Sequence, residues 1–217
     1  MTLTQQPNNA APKLLAPVHR TMIVVDIERS TTRKDATKAR VRQALYELLD
    51  KAMETSGVNA RHHDPLVDRG DGVLIAFLPC DDVPKTLLLS TFVPTLNHLL
   101  ADHNARRPSD AFRLRVALHA GEVQYDPRGL FGEAVDITCR LLDASEVKNA
   151  LGSSSGPLVL VVSDYIESIV RHGYDGIDPR TFSAIMRVEV AGRTYHGWIH
   201  VPAILPESRD HSPNTDG

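Results

Sequence analysis

Two aspartates stand beside apolar runs, where their carboxylates can be presented to a ligand. Asp26 closes the run 21–27 (TMIVVDI), and Asp71 lies in a Gly-Asp-Gly turn directly before the run 73–78 (VLIAFL). If the two runs are neighbouring strands, both carboxylates lie at one edge of the sheet. Mg²⁺ or Mn²⁺ prefers hard oxygen ligands of this kind, with positions left for water and phosphate. The alternative interpretation is structural, because Asp-Gly is a common hairpin signal and an acid after a strand often caps a helix.

The elements that must position these acids alternate between strand and helix patterns. Apolar spacing predicts helices, with Pro94 kinking or splitting the second, over 35–56, 83–104, 132–142 and 164–172. Strand patterns cover 21–27, 73–78, 112–119, 121–125 and 158–162, and a closing hairpin covers 187–190 and 195–201. This mixture of hairpins and crossovers predicts an α+β sandwich, in which helices cover one side of a mostly antiparallel sheet.

Composition limits the function classes. The chain has 217 residues, and its formal net charge of −3 excludes a bulk electrostatic case for nucleic-acid binding. No apolar run approaches the length of a membrane helix, and two cysteines are too few for a disulfide framework. Residues 1–17 and 204–217 are predicted to be flexible tails around one domain, 18–203. We expect a cytoplasmic enzyme or binding module.

Four blocks in order carry a resemblance to a known family: MIVVDIERST, DRGDGVLIAF, LRVALHAGEV and GEAVDITCRLLDAS. Between Thr21 and Val201, the sequence resembles the class III adenylate/guanylate cyclase catalytic domain, as a divergent bacterial member. The resemblance implies a ferredoxin-like βαββαβ core. It also implies an activity, in which a nucleoside triphosphate is converted to a 3′,5′-cyclic nucleotide and pyrophosphate.

The resemblance assigns the first two blocks to metal and phosphate binding. Asp26, Asp71 and the main-chain carbonyl of Ile27 match the ligands of two Mg²⁺ or Mn²⁺ ions. Ser30 and Thr31 fall where backbone amides at a helix start hold the phosphates. Arg29 stands where the family usually has glycine, so its side chain either crowds the phosphates or supplies a positive charge.

The fourth block matches the transition-state residues. Arg140 takes the place of the arginine that stabilises the reacting phosphorus, and Asp136 takes the place of an asparagine that orients the ribose. Both are expected on one helix face at i, i+4 spacing. The alternative interpretation is an ordinary ion pair on a solvated helix.

Positions that recognise the base and the end of the triphosphate depart from the family. Val67 and Gly129 stand where the purine-selecting side chains are expected, and neither can read a purine edge. Ala191 stands close to the place of a late phosphate-binding lysine, for which Arg193 is the available substitute. Loss of the purine pair also resembles the pyrimidine cyclases of bacterial antiphage defence.

The family usually works as a head-to-tail homodimer with active sites shared between subunits. The hairpin Gly121–Gly132 is shorter than the arm that usually grips the partner, which predicts a non-standard dimer. Two hypotheses remain: a divergent metal-dependent cyclase, or a catalytically inactive cyclase-like domain that binds a nucleotide or a protein partner.

Overall fold

The computed structural model describes residues 16–203, and an apolar sheet forms its centre. In chain order, the strands are β1 (Val18–Ile27), β2 (Val67–Asp68), β3 (Gly72–Phe77), β4 (Leu114–Asp126), β5 (Gly129–Phe131), β6 (Leu158–Ser163), β7 (Phe182–Val190) and β8 (Arg193–His200). Their spatial order is β2-β3-β1-β4-β6-β8-β7, and β5 pairs with the end of β4. Among the strands described, only β4 and β6 run parallel. The predicted α+β class with a mostly antiparallel sheet is confirmed.

The helices are α1 (Asp35–Thr55), α2 (Lys85–Leu87), α3 (Val93–Arg106), α4 (Glu133–Asp143), α5 (Ser145–Ser153) and α6 (Asp164–Val170). A π-helical turn, Leu88–Phe92, joins α2 to α3 just before Pro94. Proline has no amide proton to donate to the carbonyl four residues earlier, which is that of Ser90. Ser90 lies inside the wider turn, so the chain accommodates the proline without ending the helix.

Helices cover both faces of the sheet, which corrects the prediction of a one-sided sandwich. Ile23 and Val25 of β1 pack in a core with α1, α3 and α6, whereas Met22 and Val24 pack in a second core with α4 and α5. All four side chains are fully buried. A strand with apolar residues at successive positions has two dry faces, so each face needs a helical layer.

One long strand, β4, replaces the two short strands predicted at 112–119 and 121–125. The sequence pattern places a break at Gly121, but the strand continues through it. A Cβ atom at Gly121 would lie 2.9 Å from the Cβ of Ala134 in α4. The glycine therefore serves the close approach of α4 to the sheet rather than a turn.

The predicted tails lie outside the described residues, apart from positions 16 and 17. Within the described range, no helix combines the length and apolar character needed to cross a bilayer. Cys80 and Cys139 are both free thiols.

Candidate active site

The two predicted metal-binding acids lie at one edge of the sheet, which we call the acid edge (Asp26, Ile27 and Asp71). Strand β1 ends where antiparallel β3 begins, so that Asp26 lies opposite Gly72. The amide of Ile27 donates a hydrogen bond of 2.9 Å to the carbonyl oxygen of Asp71. A Cβ atom at Gly72 would lie 2.2 Å from the carbonyl oxygen of Val25, so only glycine allows this pairing.

The carboxylate of Asp26 is held next to a positive charge. It forms an ion pair with Arg115, the residue opposite it on β4, and the two side chains are only 14% and 12% exposed. Burial raises the pKa of Asp26, the charge of Arg115 opposes that rise, and the negative charge of Asp71 adds to it. The two acids of the acid edge therefore interact electrostatically, and a cation between them would be stabilised by both.

Arg115 belongs to this site, although the sequence pattern did not single it out. Its Nε and Nη1 atoms are buried and have no hydrogen-bond partner among residues 16–203. Its Nη1 lies 3.9 Å from Oδ1 of Asp143. The available signal was the alternation of the strand, which puts Arg113 and Arg115 on one face, opposite the acids Glu28 and Asp26.

A cavity of about 600 Å³ lies beside the acid edge, and we call it the basic cavity. Its lining residues are Glu28, Arg29, Arg115, Lys148, Asn149, Leu151, Gly152 and Ser153. Arg29 adopts left-handed backbone angles with φ of 53°, at the position where the resemblance expects glycine. Ser30 and Thr31 begin the short 3-10 turn that follows Arg29 and are not among the lining residues.

Asp136 and Arg140 lie together in a second cavity of about 420 Å³, the α4–hairpin cleft. This cleft is lined by Asp136, Cys139, Arg140 and Asp143 of α4 and by Glu189, Val190 and Ala191 at the β7–β8 turn. Asp136 and Arg140 form no ion pair with each other in the described structure. The helix ion pair of the alternative interpretation is therefore not formed, and both charges remain available to a ligand.

The structure places Arg193 away from the acid edge. Its Nη1 lies 3.9 Å from Oε1 of Glu133 at the start of α4, and its side chain is 73% exposed. The hydroxyl of Tyr195 donates a hydrogen bond to the same carboxylate. Ala191 lines the α4–hairpin cleft with φ of 49°, in the turn where the late lysine is expected.

Asp143 lies between the two cavities. It lines the α4–hairpin cleft, and its Oδ1 is 3.9 Å from both Nη1 of Arg115 and Nζ of Lys148, which line the basic cavity. Within one chain, Asp26 is therefore next to the basic cavity, whereas Arg140 faces the other one. The structure does not bring the predicted transition-state arginine into the cavity beside the acid edge.

Neither position expected to select a purine offers a polar side chain. Val67 is half-buried on β2 and packs against the core, and Gly129 is the first residue of β5. The nearby Asp68 forms an ion pair of 2.6 Å with Arg42 and accepts a hydrogen bond from the amide of Gly70. Its carboxylate is therefore occupied within the chain.

Comparison of sequences does not identify the chain: no protein-family model and no curated protein matches it. Comparison of structures does find similar proteins. A guanylyl cyclase is 14% identical, with a TM-score of 0.61 over 90% of this chain and 96% of that chain.

Two further solved structures agree. The adenylate/guanylate cyclase/hydrolase of Silicibacter pomeroyi is 20% identical, with a TM-score of 0.57 over 87% of this chain and 99% of that one. The adenylyl cyclase CyaB of P. aeruginosa is 13% identical, with a TM-score of 0.56 over 87% and 97%. The fold is that of a nucleotidyl cyclase domain. In that fold, the acid edge and the α4–hairpin cleft hold the residues that the resemblance assigned to metal binding and to the transition state.

Proposed function

We propose that this chain is a divergent, metal-dependent nucleotidyl cyclase, which converts a nucleoside triphosphate into a 3′,5′-cyclic nucleotide and pyrophosphate. The ribose 3′-oxygen bonds to the α-phosphorus, its proton passes to solvent, and the bond from that phosphorus to the pyrophosphate oxygen breaks. One observation carries the proposal: Asp26 and Asp71 lie at adjoining strand ends in a cyclase fold. The basic cavity next to them is a suitable place for the triphosphate.

Asp26, Asp71 and the carbonyl of Ile27 would hold two Mg²⁺ or Mn²⁺ ions. These residues fit the ions because carboxylate and carbonyl oxygens are the donors that they prefer, and because Asp26 and Asp71 lie close enough to affect each other electrostatically. No group of three or more His, Cys, Asp and Glu side chains suited to a metal occurs in residues 16–203, so water and phosphate would complete the coordination. When bound, the ions supply positive charge that activates the 3′-hydroxyl and holds the leaving group.

The basic cavity supports binding of the triphosphate by this chain's own side chains. Arg29 and Arg115 line it, and two nitrogen atoms of Arg115 lack hydrogen-bond partners within the described range. A phosphate oxygen can accept charge-assisted hydrogen bonds from an arginine that lines a cavity. Ser30 and Thr31 would add backbone amides at the turn that follows Arg29.

A second copy of the chain would supply the transition-state residues. Arg140 faces the α4–hairpin cleft rather than the basic cavity, so one subunit alone does not complete the site. In a homodimer, Arg140 would neutralise charge that develops on the reacting phosphate, and the carboxylate of Asp136 would accept a hydrogen bond from a ribose hydroxyl. Arg193 would remain at the border of this half, near Glu133.

We expect the enzyme to show no preference for purines. Val67 offers no hydrogen-bonding group and Gly129 has no side chain, so neither can discriminate between bases. Pyrimidine nucleoside triphosphates are therefore included as substrates in the proposal.

The second candidate function is a cyclase-like module that binds a nucleotide or a protein without turnover. The ion pair between Asp26 and Arg115 favours it, because this pairing competes with a metal ion for the same carboxylate.

Activity with purified protein decides between the two. The full chain is incubated with each of the four ribonucleoside triphosphates and Mn²⁺, and pyrophosphate and cyclic nucleotide are measured. Asp71→Asn should lower the rate at least about 100-fold, because one metal ligand is lost. Asp35→Asn is the matched control, since Asp35 is a fully exposed acid on α1. If none of the four nucleotides gives a product, the cyclase proposal is wrong and the binding module without turnover is the remaining hypothesis.

Mixing inactive variants tests the shared site. Asp71→Asn and Arg140→Ala should each be nearly inactive alone, but a mixed dimer of the two would contain one intact site. Recovery of cyclic product on mixing supports a site shared between two copies. Failure to recover, with each variant folded, would contradict the homodimer.

A further inference from the structure

Three cationic side chains line the basic cavity: Arg29, Arg115 and Lys148. We propose that they form a polyphosphate clamp contained within one subunit, in which Lys148 of α5 replaces the lysine expected near Ala191. The proposal rests on the proposed function for its substrate, a nucleoside triphosphate. The clamp itself would bind any linear polyphosphate, because it recognises only phosphate oxygens.

Arg115 supplies the first observation. A buried guanidinium group has five donors, and leaving them without acceptors is costly. The Nε and Nη1 atoms of Arg115 have no hydrogen-bond partner in the described structure, although the residue lines a cavity of about 600 Å³. Asp26 pairs with another nitrogen of the same group, Nη2. Because Arg115 also lines the cavity, its guanidinium places a positive charge at the wall where an anionic ligand would bind.

Lys148 supplies the second observation. Its side chain is half-exposed, and Nζ lies 3.9 Å from Oδ1 of Asp143, the same oxygen that lies 3.9 Å from Nη1 of Arg115. One carboxylate thus holds both cations near each other at the cavity wall. At 3.9 Å, the ammonium group has not formed a short hydrogen bond, so its donors are free for a phosphate.

The one carboxylate among the lining residues of the cavity, that of Glu28, is already paired with a cation. Arg113 binds both carboxylate oxygens of Glu28, at 2.8 and 2.9 Å. Its Nη1 also donates to the carbonyl oxygens of Leu151 and Ser154 at the end of α5, at 2.9 and 3.1 Å. Glu28 and the C-terminal carbonyls of α5 would otherwise repel a polyphosphate. With Arg113 engaged in this way, the cations Arg29, Arg115 and Lys148 outnumber the carboxylates among the lining residues.

Arg29 supplies the third observation. It has φ of 53° and ψ of 34°, a left-handed conformation that strains a residue with a side chain. Glycine would adopt this conformation without strain. The chain nevertheless carries an exposed arginine here, at the cavity wall, and a phosphate-binding role explains why the charge is kept at this position.

The α4–hairpin cleft has the opposite charge. The carboxylates of Asp136 and Glu189 line it together with the cation Arg140, and Asp143, which also lines it, is shared with Arg115 and Lys148. A triphosphate tail would be repelled there, so the turn at Ala191 is a poor place for its recognition. The clamp beside the acid edge would therefore bind the phosphates in place of the lysine expected near Ala191.

Binding of inorganic tripolyphosphate tests the clamp without a base, a ribose or catalysis. The full chain is titrated calorimetrically with sodium tripolyphosphate in EDTA at low salt. Lys148→Ala should weaken binding about tenfold, equivalent to about 1.4 kcal/mol, because one charge-assisted contact is lost. Lys148→Arg should retain most of the affinity. Arg29→Gly should also weaken binding while leaving the protein at least as stable, since it removes both the charge and the strain.

Lys51→Ala is the matched control, because Lys51 is an exposed lysine of α1 that does not line the basic cavity. Equal affinity of Lys148→Ala and the wild type would overturn the clamp. So would an equal loss with Lys51→Ala, which would indicate binding by net charge alone. Thermal unfolding of each variant confirms that it is folded.

Mixing experiments test whether the clamp acts in the same subunit as the acid edge. In a dimer of Lys148→Glu with Arg140→Ala, one site would keep both the clamp and the arginine, so activity should return. In a dimer of Lys148→Glu with Asp71→Asn, both sites would remain defective. The reverse pattern would assign Lys148 to the partner's site and contradict the proposal.

The two proposals fail in different ways. If tripolyphosphate binds and Lys148→Ala weakens it, but no nucleotide is cyclised, the clamp stands and the cyclase activity is wrong. If nucleotides are cyclised and Lys148→Ala changes neither KM nor tripolyphosphate affinity, the clamp is wrong and the cyclase stands.

Discussion

The acid edge and the α4–hairpin cleft differ in how their side chains are held. Asp26 and Arg115 project from adjacent central strands and are 14% and 12% exposed. The cleft is built from a helix face and a hairpin turn, and its residues Asp136 and Arg140 are exposed, as is Asp143 at 61%. The difference implies that neighbouring atoms hold the Asp26–Arg115 pair in place, whereas the side chains of the cleft are less constrained by the fold. Substitutions in the first should change stability, and substitutions in the second should change function alone.

The largest effect on stability is expected from a substitution that disturbs the strand pairing at the acid edge. Gly72→Ala places a Cβ atom 2.2 Å from the carbonyl oxygen of Val25, so β1 and β3 must separate locally. We expect a loss of at least about 4 kcal/mol in the free energy of unfolding, measured with urea. Gly152→Ala is the control, because its Cβ meets no atom within 4 Å and lies on α5. A loss below 1 kcal/mol for Gly72→Ala would show that the edge is not rigid.

The next largest effect should come from the buried ion pair. Arg115→Met leaves the carboxylate of Asp26 buried without its cation, which should cost about 3 kcal/mol. The double variant Asp26→Leu with Arg115→Met should recover most of that loss, since no unpaired charge remains. Urea unfolding of both singles and the double gives the coupling energy. Additive effects would show that Asp26 and Arg115 do not interact in solution.

The same sheet should make stability depend on pH. His119 of β4 is buried and its Nδ1 lies 2.7 Å from Oγ of Ser163. Burial, with a smaller contribution from the charge of His19, lowers the pKa of His119 to about 4, while Asp164 opposes the shift. The unfolded chain, whose histidine has a pKa near 6.5, then binds more protons between these values. Stability should therefore fall as the pH falls below about 6.5.

From pH 7.5 to pH 5, His119 should contribute a loss of about 2 kcal/mol. His119→Asn keeps an acceptor for Ser163 and should remove this dependence. Asp26 acts in the opposite direction, because its raised pKa favours the folded state at lower pH. The difference between wild type and His119→Asn cancels that contribution. Parallel curves for the two proteins would contradict the assignment.

The acid edge could be predicted from the sequence, since an apolar run that ends in an acid and a Gly-Asp-Gly turn are both local patterns. Arg115 could not, because strand alternation indicates which face a residue occupies but not which residue lies opposite it. Asp26 and Arg115 meet only through the β1–β4 register. The cationic role of Lys148 depends in the same way on where α5 packs.

Two fold details were wrong for physical reasons that the structure makes clear. Gly121 resembles a strand end in the sequence, yet its function is to admit Ala134 of α4 at close range. The four successive apolar residues 22–25 of β1 already implied two covered faces, but a one-sided sandwich was predicted. Helix α5 (SEVKNALGS) has only two buried residues, Val147 and Leu151, which is too few to show a helical period.

The smallest change in stability is expected in the α4–hairpin cleft. A small change there would distinguish the cleft most clearly from the acid edge. Arg140 forms no ion pair within the described range and faces an open cavity. Arg140→Ala should therefore change the free energy of unfolding by less than about 0.5 kcal/mol. Under the proposed function, the same variant should lower cyclase activity about 100-fold or more, because it would remove the charge proposed to meet the reacting phosphate. If Arg140→Ala instead destabilised the fold as much as Arg115→Met, Arg140 would have a structural role. The proposed difference between the acid edge and the α4–hairpin cleft would then be wrong.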